Sequence, residues 1–72
     1  MADSTTRTIV LNGDPYVIDG EIRLVALLER LDMRQTRVAV EINHELVPKA
    51  SYIETVIRPG DNVEIINFVG GG

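Results

Sequence analysis

Four leucines recur at the spacing of one helical face. Leu24, Leu27, Leu28 and Leu31 fall at i, i+3, i+4 and i+7, which predicts an amphipathic helix over residues 24–31. The chain has 72 residues and no cysteine, so neither disulfides nor a thiolate metal site can substitute for a hydrophobic core. The rest of the chain must therefore cover the leucine face. We interpret this face as core rather than as a cofactor or partner groove.

Strand patterns and turn signals account for most of the remaining chain. In the clearest strand, Val38, Val40 and Ile42 alternate with Ala39 and Glu41. The predicted strands cover residues 7–11, 16–18, 38–42, 45–47 and 62–68. The predicted turns are Asn12-Gly13 extended by Asp14-Pro15, Asn43-His44, and a type II turn centred on Pro59-Gly60. Residues 49–55 are predicted to be irregular or a single helical turn.

The order of these elements is strand, strand, helix, strand, short strand, strand. It predicts an α+β fold, in which one main helix packs on one face of a mixed sheet. There is no internal linker, repeat or low-complexity segment. We therefore expect a single domain over residues 1–72, with residues 69–72 as a flexible C-terminal tail.

Charge and hydropathy exclude several classes of partner. Eleven acidic and seven basic residues give a net charge of −4 without a basic cluster, so no nucleic-acid partner is expected. The longest apolar run, residues 24–28, is far too short to span a membrane. Residues 1–6 lack the layout of a signal peptide. We expect a cytoplasmic protein with no membrane partner.

The sequence offers no arrangement typical of catalysis. His44 is the only histidine, and the nearby Glu41 and Glu45 do not form a recognised ligand spacing with it, so we interpret it as a turn residue and expect no metal site. Ser51 has no evident activating base, and no phosphate-binding loop, dinucleotide fingerprint or nucleophile elbow occurs. The chain is therefore predicted not to be an enzyme, to have no catalytic residue and to hold no cofactor of its own.

Three glycines follow the last predicted strand with no intervening linker. Gly70, Gly71 and Gly72 would form a thin tip, because glycine has no Cβ and its backbone can enter spaces closed to other residues. Such a tip suits a partner that grips backbone and works on a carboxylate at Gly72. The same pattern is compatible with an unstructured end or a leftover linker.

A series of short motifs resembles one family over nearly the whole chain from about Thr8. The motifs are VLNG at 10–13, the helix at 24–31, VAVEIN at 38–43, ELVP at 45–48, PGDNVEI at 59–65 and FVGGG at 68–72. Together they resemble the ThiS family, within the ThiS/MoaD group of ubiquitin-like sulfur carriers. The chain departs from the pattern at His44, where relatives often have glycine, and at Arg23, where relatives often start the helix with threonine.

The resemblance implies a β-grasp fold and a carrier role in thiazole synthesis for thiamine. A ThiF-like adenylyltransferase would use ATP and magnesium to adenylate the Gly72 carboxylate, while Gly70 and Gly71 are recognised as the tail. A persulfide donor would then leave a thiocarboxylate, and thiazole synthase would take the sulfur. The alternatives are a carrier for molybdopterin or cysteine synthesis, a ubiquitin-like protein modifier, and a plain β-grasp binding module.

The last strand also predicts where partners dock. If Val63 and Ile65 point to the helix, Ile66 and Phe68 point to the opposite face of the sheet. Four extended residues reach only about 13 Å, so an active site that holds the tail must lie near this surface. We therefore predict that Ile66, Phe68 and Val69 dock the partner; scattered surface hydrophobes or dimer contacts are the alternative.

Overall fold

The structure is a computed structural model that describes residues 7–68. The sequence predictions on Val69, Gly70, Gly71 and Gly72 lie outside the described residues. Within residues 7–68 the strands are β1 (Thr8–Leu11), β2 (Asp14–Val17), β3 (Ile22–Arg23), β4 (Val38–Ile42), β5 (Glu45–Leu46), β6 (Val56–Ile57) and β7 (Asn62–Asn67). The same region contains one α-helix, α1 (Leu24–Arg30), and the 3-10 helices Gln35–Arg37 and Lys49–Glu54.

Strand β7 lies in the centre of the main sheet. The strand order is β2-β1-β7-β4-β5, with β7 parallel to β1 and antiparallel to β4. Since the first and last described strands lie side by side in the same direction, the sheet is mixed, as the element order predicts. The β1–β2 pair and the β4–β5 pair are joined in the sheet only through β7.

One hydrophobic core connects α1 with the inner face of this sheet. Leu24, Leu27 and Leu28 are almost completely inaccessible, and Leu31, which follows the helix as its C-cap, is half-buried. The core interpretation of the leucine stripe is therefore confirmed. The buried apolar residues are Ile9, Ile18, Leu24, Leu27, Leu28, Val38, Val40, Tyr52, Ile57, Val63 and Ile65.

Tyr52 is a core residue that the sequence pattern did not reveal. It lies in the 3-10 helix Lys49–Glu54, where irregular structure or a single helical turn was predicted, and the residue is 2% exposed. Its hydroxyl donates a hydrogen bond to the Val38 carbonyl at 3.3 Å, which satisfies the buried polar atom. This short helix therefore closes the core at the start of β4.

Two details of the predicted elements are wrong. Asp14 and Pro15, predicted as turn, belong to β2, where Pro15 pairs with Val10. Proline is tolerated there because β2 is an edge strand of the sheet. The antiparallel pair of β3 and β6 was also missed, because strands of two residues are too short to show alternation.

The turns predicted at Asn12-Gly13, Asn43-His44 and Pro59-Gly60 are confirmed by their backbone angles. Asn12 and Gly13 have φ of 50° and 88°, and Asn43 and His44 have φ of 53° and 70°, as expected for the mirror-image turns that connect hairpin strands. Gly60 has φ of 90°, as the second central residue of a type II turn requires. His44 is therefore a turn residue, held in the left-handed region without being glycine.

Candidate functional site

Ile66 and Phe68 lie on the face of the main sheet that α1 does not cover, which we call the outer face. Along β7, Val63 and Ile65 are buried, whereas Glu64 and Ile66 are exposed. Ile66 and Phe68 are 58% and 54% exposed. The predicted orientation of the last strand is thus confirmed, while the docking role of these residues stays a prediction.

The end of β7 projects beyond the β1–β2 hairpin and is paired with β4 alone. On one side, β1 pairs with β7 only at its beginning, through Asn62 and Val63. On the other side, Ile66 is the register partner of Ala39, and the Phe68 amide donates to the Arg37 carbonyl at 2.7 Å. The apolar pair therefore sits at a corner of the outer face, at the end of β7 that precedes residue 69 in the sequence.

Asn12 anchors this corner to the first hairpin. Its side-chain Oδ1 accepts a hydrogen bond from the Ile65 amide at 2.8 Å, and its own amide donates to the Val63 carbonyl at 2.9 Å. The turn between β1 and β2 thus provides hydrogen-bond partners for the backbone of β7 beyond the point where β1 ends. These two hydrogen bonds tie Val63 and Ile65 of β7 to the first hairpin.

The other large exposed hydrophobic residues within 7–68 lie away from the end of β7. Val10 pairs with Asn62 at the beginning of β7, Val17 pairs with Thr8, and Leu46 of β5 pairs with Glu41. Ile53 is on the 3-10 helix Lys49–Glu54, which contacts α1. Ile66 and Phe68 are thus the exposed apolar pair that continues directly into the tail, which favours them as the docking residues.

The structure also brings together residues that the sequence keeps apart. His44 lies near Glu41, as its position in the chain suggests, but the second carboxylate beside it belongs to Glu64 and not to the neighbouring Glu45. Glu45 is the register partner of Ile42, on the opposite face of the strand from Glu41. The pairing of Glu41 with Glu64 depends on the β4–β7 register, which short-range spacing cannot reveal.

Residues 7–68 contain no helix that is both long enough and apolar enough to cross a membrane.

The fold and this surface define a class of protein. A mixed sheet with one main helix across one face, and with its first and last described strands parallel in the centre, is the β-grasp architecture of ubiquitin-like proteins. The model of the ThiS family matches residues 9–72, so the chain belongs to the ThiS family.

Individual relatives agree with this membership. The crystal structure of thiamine biosynthesis protein ThiS from Geobacter metallireducens superposes with a TM-score of 0.75 at 34% identity, covering 90% of this chain and 99% of that one. The sulfur carrier protein ThiS of Escherichia coli (strain K12) is 35% identical over 46 residues, which are 64% of this chain and 70% of the relative.

A third relative is much longer than this chain. The thiazole synthase of Paramagnetospirillum magneticum is 41% identical over 64 residues, which are 89% of this chain and 20% of the synthase. The chain therefore spans about a fifth of the length of that relative.

Proposed function

We propose that this protein is a sulfur carrier that delivers sulfur for the thiazole of thiamine. The observation that carries the proposal is the ThiS family match, which runs through the predicted glycine tail to residue 72. The outer-face corner of Ile66 and Phe68 supports it, because a partner that works on the tail must also contact the body at its root.

In the proposed cycle, Gly72 is the C-terminal residue of the working protein and its carboxylate is the reactive group. A ThiF-like adenylyltransferase, using ATP and magnesium, joins this carboxylate to AMP and releases pyrophosphate. The acyl adenylate is then an electrophile with a good leaving group, which a free carboxylate is not. Gly70 and Gly71 permit the close backbone approach that the partner's active site needs.

Sulfur enters by displacement of AMP. The terminal sulfur of a persulfide donor attacks the acyl carbon and gives an acyl disulfide. A second thiol of the donor system cleaves the S–S bond, so that the carrier keeps a thiocarboxylate and the thiols are oxidised to a disulfide. Thiazole synthase then takes the sulfur from the thiocarboxylate.

In this cycle the carrier itself catalyses no step. Each bond is made or broken by a partner, which fits a chain whose sequence offers no catalytic arrangement. We accordingly propose a non-enzymatic, cytoplasmic carrier that needs no cofactor of its own for sulfur transfer and passes between partners. What its own residues contribute is a stable body, a docking corner and a narrow tail.

The link to thiazole synthesis is supported by the long relative. A segment similar to this chain is part of one polypeptide named thiazole synthase in Paramagnetospirillum magneticum. Two domains joined in one polypeptide are held at a high effective concentration relative to each other. We propose that here the carrier meets a separate thiazole synthase through the outer-face corner.

The test is intact-mass analysis of the protein purified from its native cell under non-reducing conditions. We expect a species heavier by one exchange of oxygen for sulfur, which disappears on incubation with thiazole synthase and its substrates. A ladder of conjugates to other proteins would instead identify a modifier. Neither species would indicate a binding module, and copurification with molybdopterin synthase would assign the carrier to that pathway.

A further inference from the structure

The outer face also carries three metal-ligating side chains. Glu41 of β4 and Glu64 of β7 are register partners, so their side chains lie beside each other on the same face. His44 is the second residue of the turn between β4 and β5. One ligand atom of each of these residues lies within 4.8 Å of the ligand atoms of the other two. The cluster therefore has the composition and proximity of a three-ligand metal site.

The two carboxylates face each other, and no cationic side chain of residues 7–68 forms an ion pair with either. In the part of the chain that the structure describes, the ion pairs join Arg7 to Asp19 and Arg58 to Glu21, and none involves the paired glutamates. Like charges directly opposite on neighbouring strands destabilise the pairing. A divalent cation between Glu41 and Glu64 would offset this repulsion, so the cluster favours a cation over an apolar or anionic ligand.

The turn holds His44 beside the glutamates. Asn43 Oδ1 accepts a hydrogen bond from the Asn62 amide at 2.9 Å, and Asn43 Nδ2 donates to Asp61 Oδ1 at 3.1 Å. These bonds tie the turn to the beginning of β7. Asn62 Nδ2 also lies 3.5 Å from His44 Nε2, so the ring contacts the first residue of β7. The imidazole is thus directed toward the strand that bears Glu64.

We propose that Glu41, His44 and Glu64 bind a divalent cation of the zinc type. An imidazole nitrogen favours zinc and similar first-row metals over magnesium and calcium, which prefer oxygen ligands alone. Three protein ligands would leave at least one coordination position open to water or to a partner. This inference does not depend on the sulfur-carrier function.

The cluster must contract only slightly to bind such an ion. Ligand atoms at about 2.0–2.2 Å from a tetrahedral zinc ion lie about 3.4 Å from each other. Since the ligand atoms all lie within 4.8 Å of one another, each separation must close by at most about 1.4 Å. His44 and Glu64 are exposed and can rotate, whereas Glu41 is half-buried and provides the fixed point. Side-chain rotation thus suffices, with no change in the sheet.

The experiment is calorimetric titration of the tag-free, chelator-treated full chain with zinc chloride, with the NMR signals of the histidine ring followed in parallel. The chain has one histidine and no cysteine, so the ring signals report on His44 alone. We expect saturation at one zinc ion per chain and a shift of the His44 signals, with magnesium chloride producing neither. Absence of saturable zinc binding, or equal binding of magnesium, would overturn the proposal.

Three variants locate the site. His44→Gly and Glu64→Gln should each weaken zinc binding by about tenfold or more, because each removes a ligand. Glycine suits φ of 70°, so the first variant keeps the turn and the fold. Glu45→Gln is the matched control, since it removes the same charge beside the cluster but from the other face, and its affinity should equal that of the parent. Retained affinity in His44→Gly, or an equal loss in Glu45→Gln, would refute the assignment.

Discussion

Truncation of Phe68 separates the docking role of the outer-face corner from a role in the core. Phe68 is 54% exposed, so just under half of its surface is covered by the body. Complete burial of a phenylalanine contributes roughly 1.5–3 kcal/mol, so Phe68→Ala should lower the free energy of unfolding by about 0.7–1.4 kcal/mol. The exposed half is available to a partner and is worth about 0.8–1.6 kcal/mol, which predicts about 4–15-fold weaker binding to the activating enzyme.

The assay is calorimetric binding of the folded variant to the ThiF-like adenylyltransferase, with thermal unfolding measured on the same sample. Ile53→Ala is the matched control, because Ile53 is 69% exposed but lies on the 3-10 helix Lys49–Glu54 and not on the sheet. Its affinity should equal that of the parent. The reasoning fails if Phe68→Ala unfolds the protein while the folded fraction binds as before, or if Ile53→Ala weakens binding equally.

The remaining predictions concern the tail, the core and the anchor of β7. Gly71→Val should leave the melting temperature unchanged and abolish adenylation, because it adds a Cβ where the partner approaches the backbone; normal pyrophosphate exchange would contradict it. Leu28→Ala should cost roughly 2–5 kcal/mol in urea unfolding, since Leu28 is 1% exposed, and an unchanged midpoint would mean that this position does not pack in the core. Asn12→Gly keeps a residue suited to φ of 50° but removes the acceptor of the Ile65 amide, so it should cost about 1–3 kcal/mol. A stability equal to that of the parent would show that this hydrogen bond does not anchor β7.

The sequence predicts the helix and the strands of this fold better than it predicts which elements pack against each other. The leucine stripe identifies α1 because burial on a helix repeats every three or four residues, and Val40 and Ile65 are core because alternation marks the inner face of a strand. By contrast, Tyr52 is buried through the way its 3-10 helix returns to Val38. That contact joins residues 14 positions apart and leaves no local periodicity.

The difference between local pattern and long-range contact also explains which surface features the sequence predicts. The exposure of Ile66 and Phe68 follows from alternation along one strand and is therefore predictable. The meeting of His44 with Glu64 requires the register of β4 against β7, which the sequence alone does not specify. Spacing searches along the chain consider Glu45 instead, and the pleat of the hairpin places that residue on the wrong face.

The central position of β7 has a consequence for the order of events during synthesis. The two hairpins, β1–β2 and β4–β5, touch in the sheet only through this strand, which follows both of them in the chain. A nascent chain that ends before Asn62 therefore has an open sheet and lacks Val63 and Ile65 from its core. Contacts between distant residues form late because loop closure precedes any gain from them. The sheet and core that support the outer-face corner are thus complete only after β7 has left the ribosome, so this corner is among the last parts of the body to form.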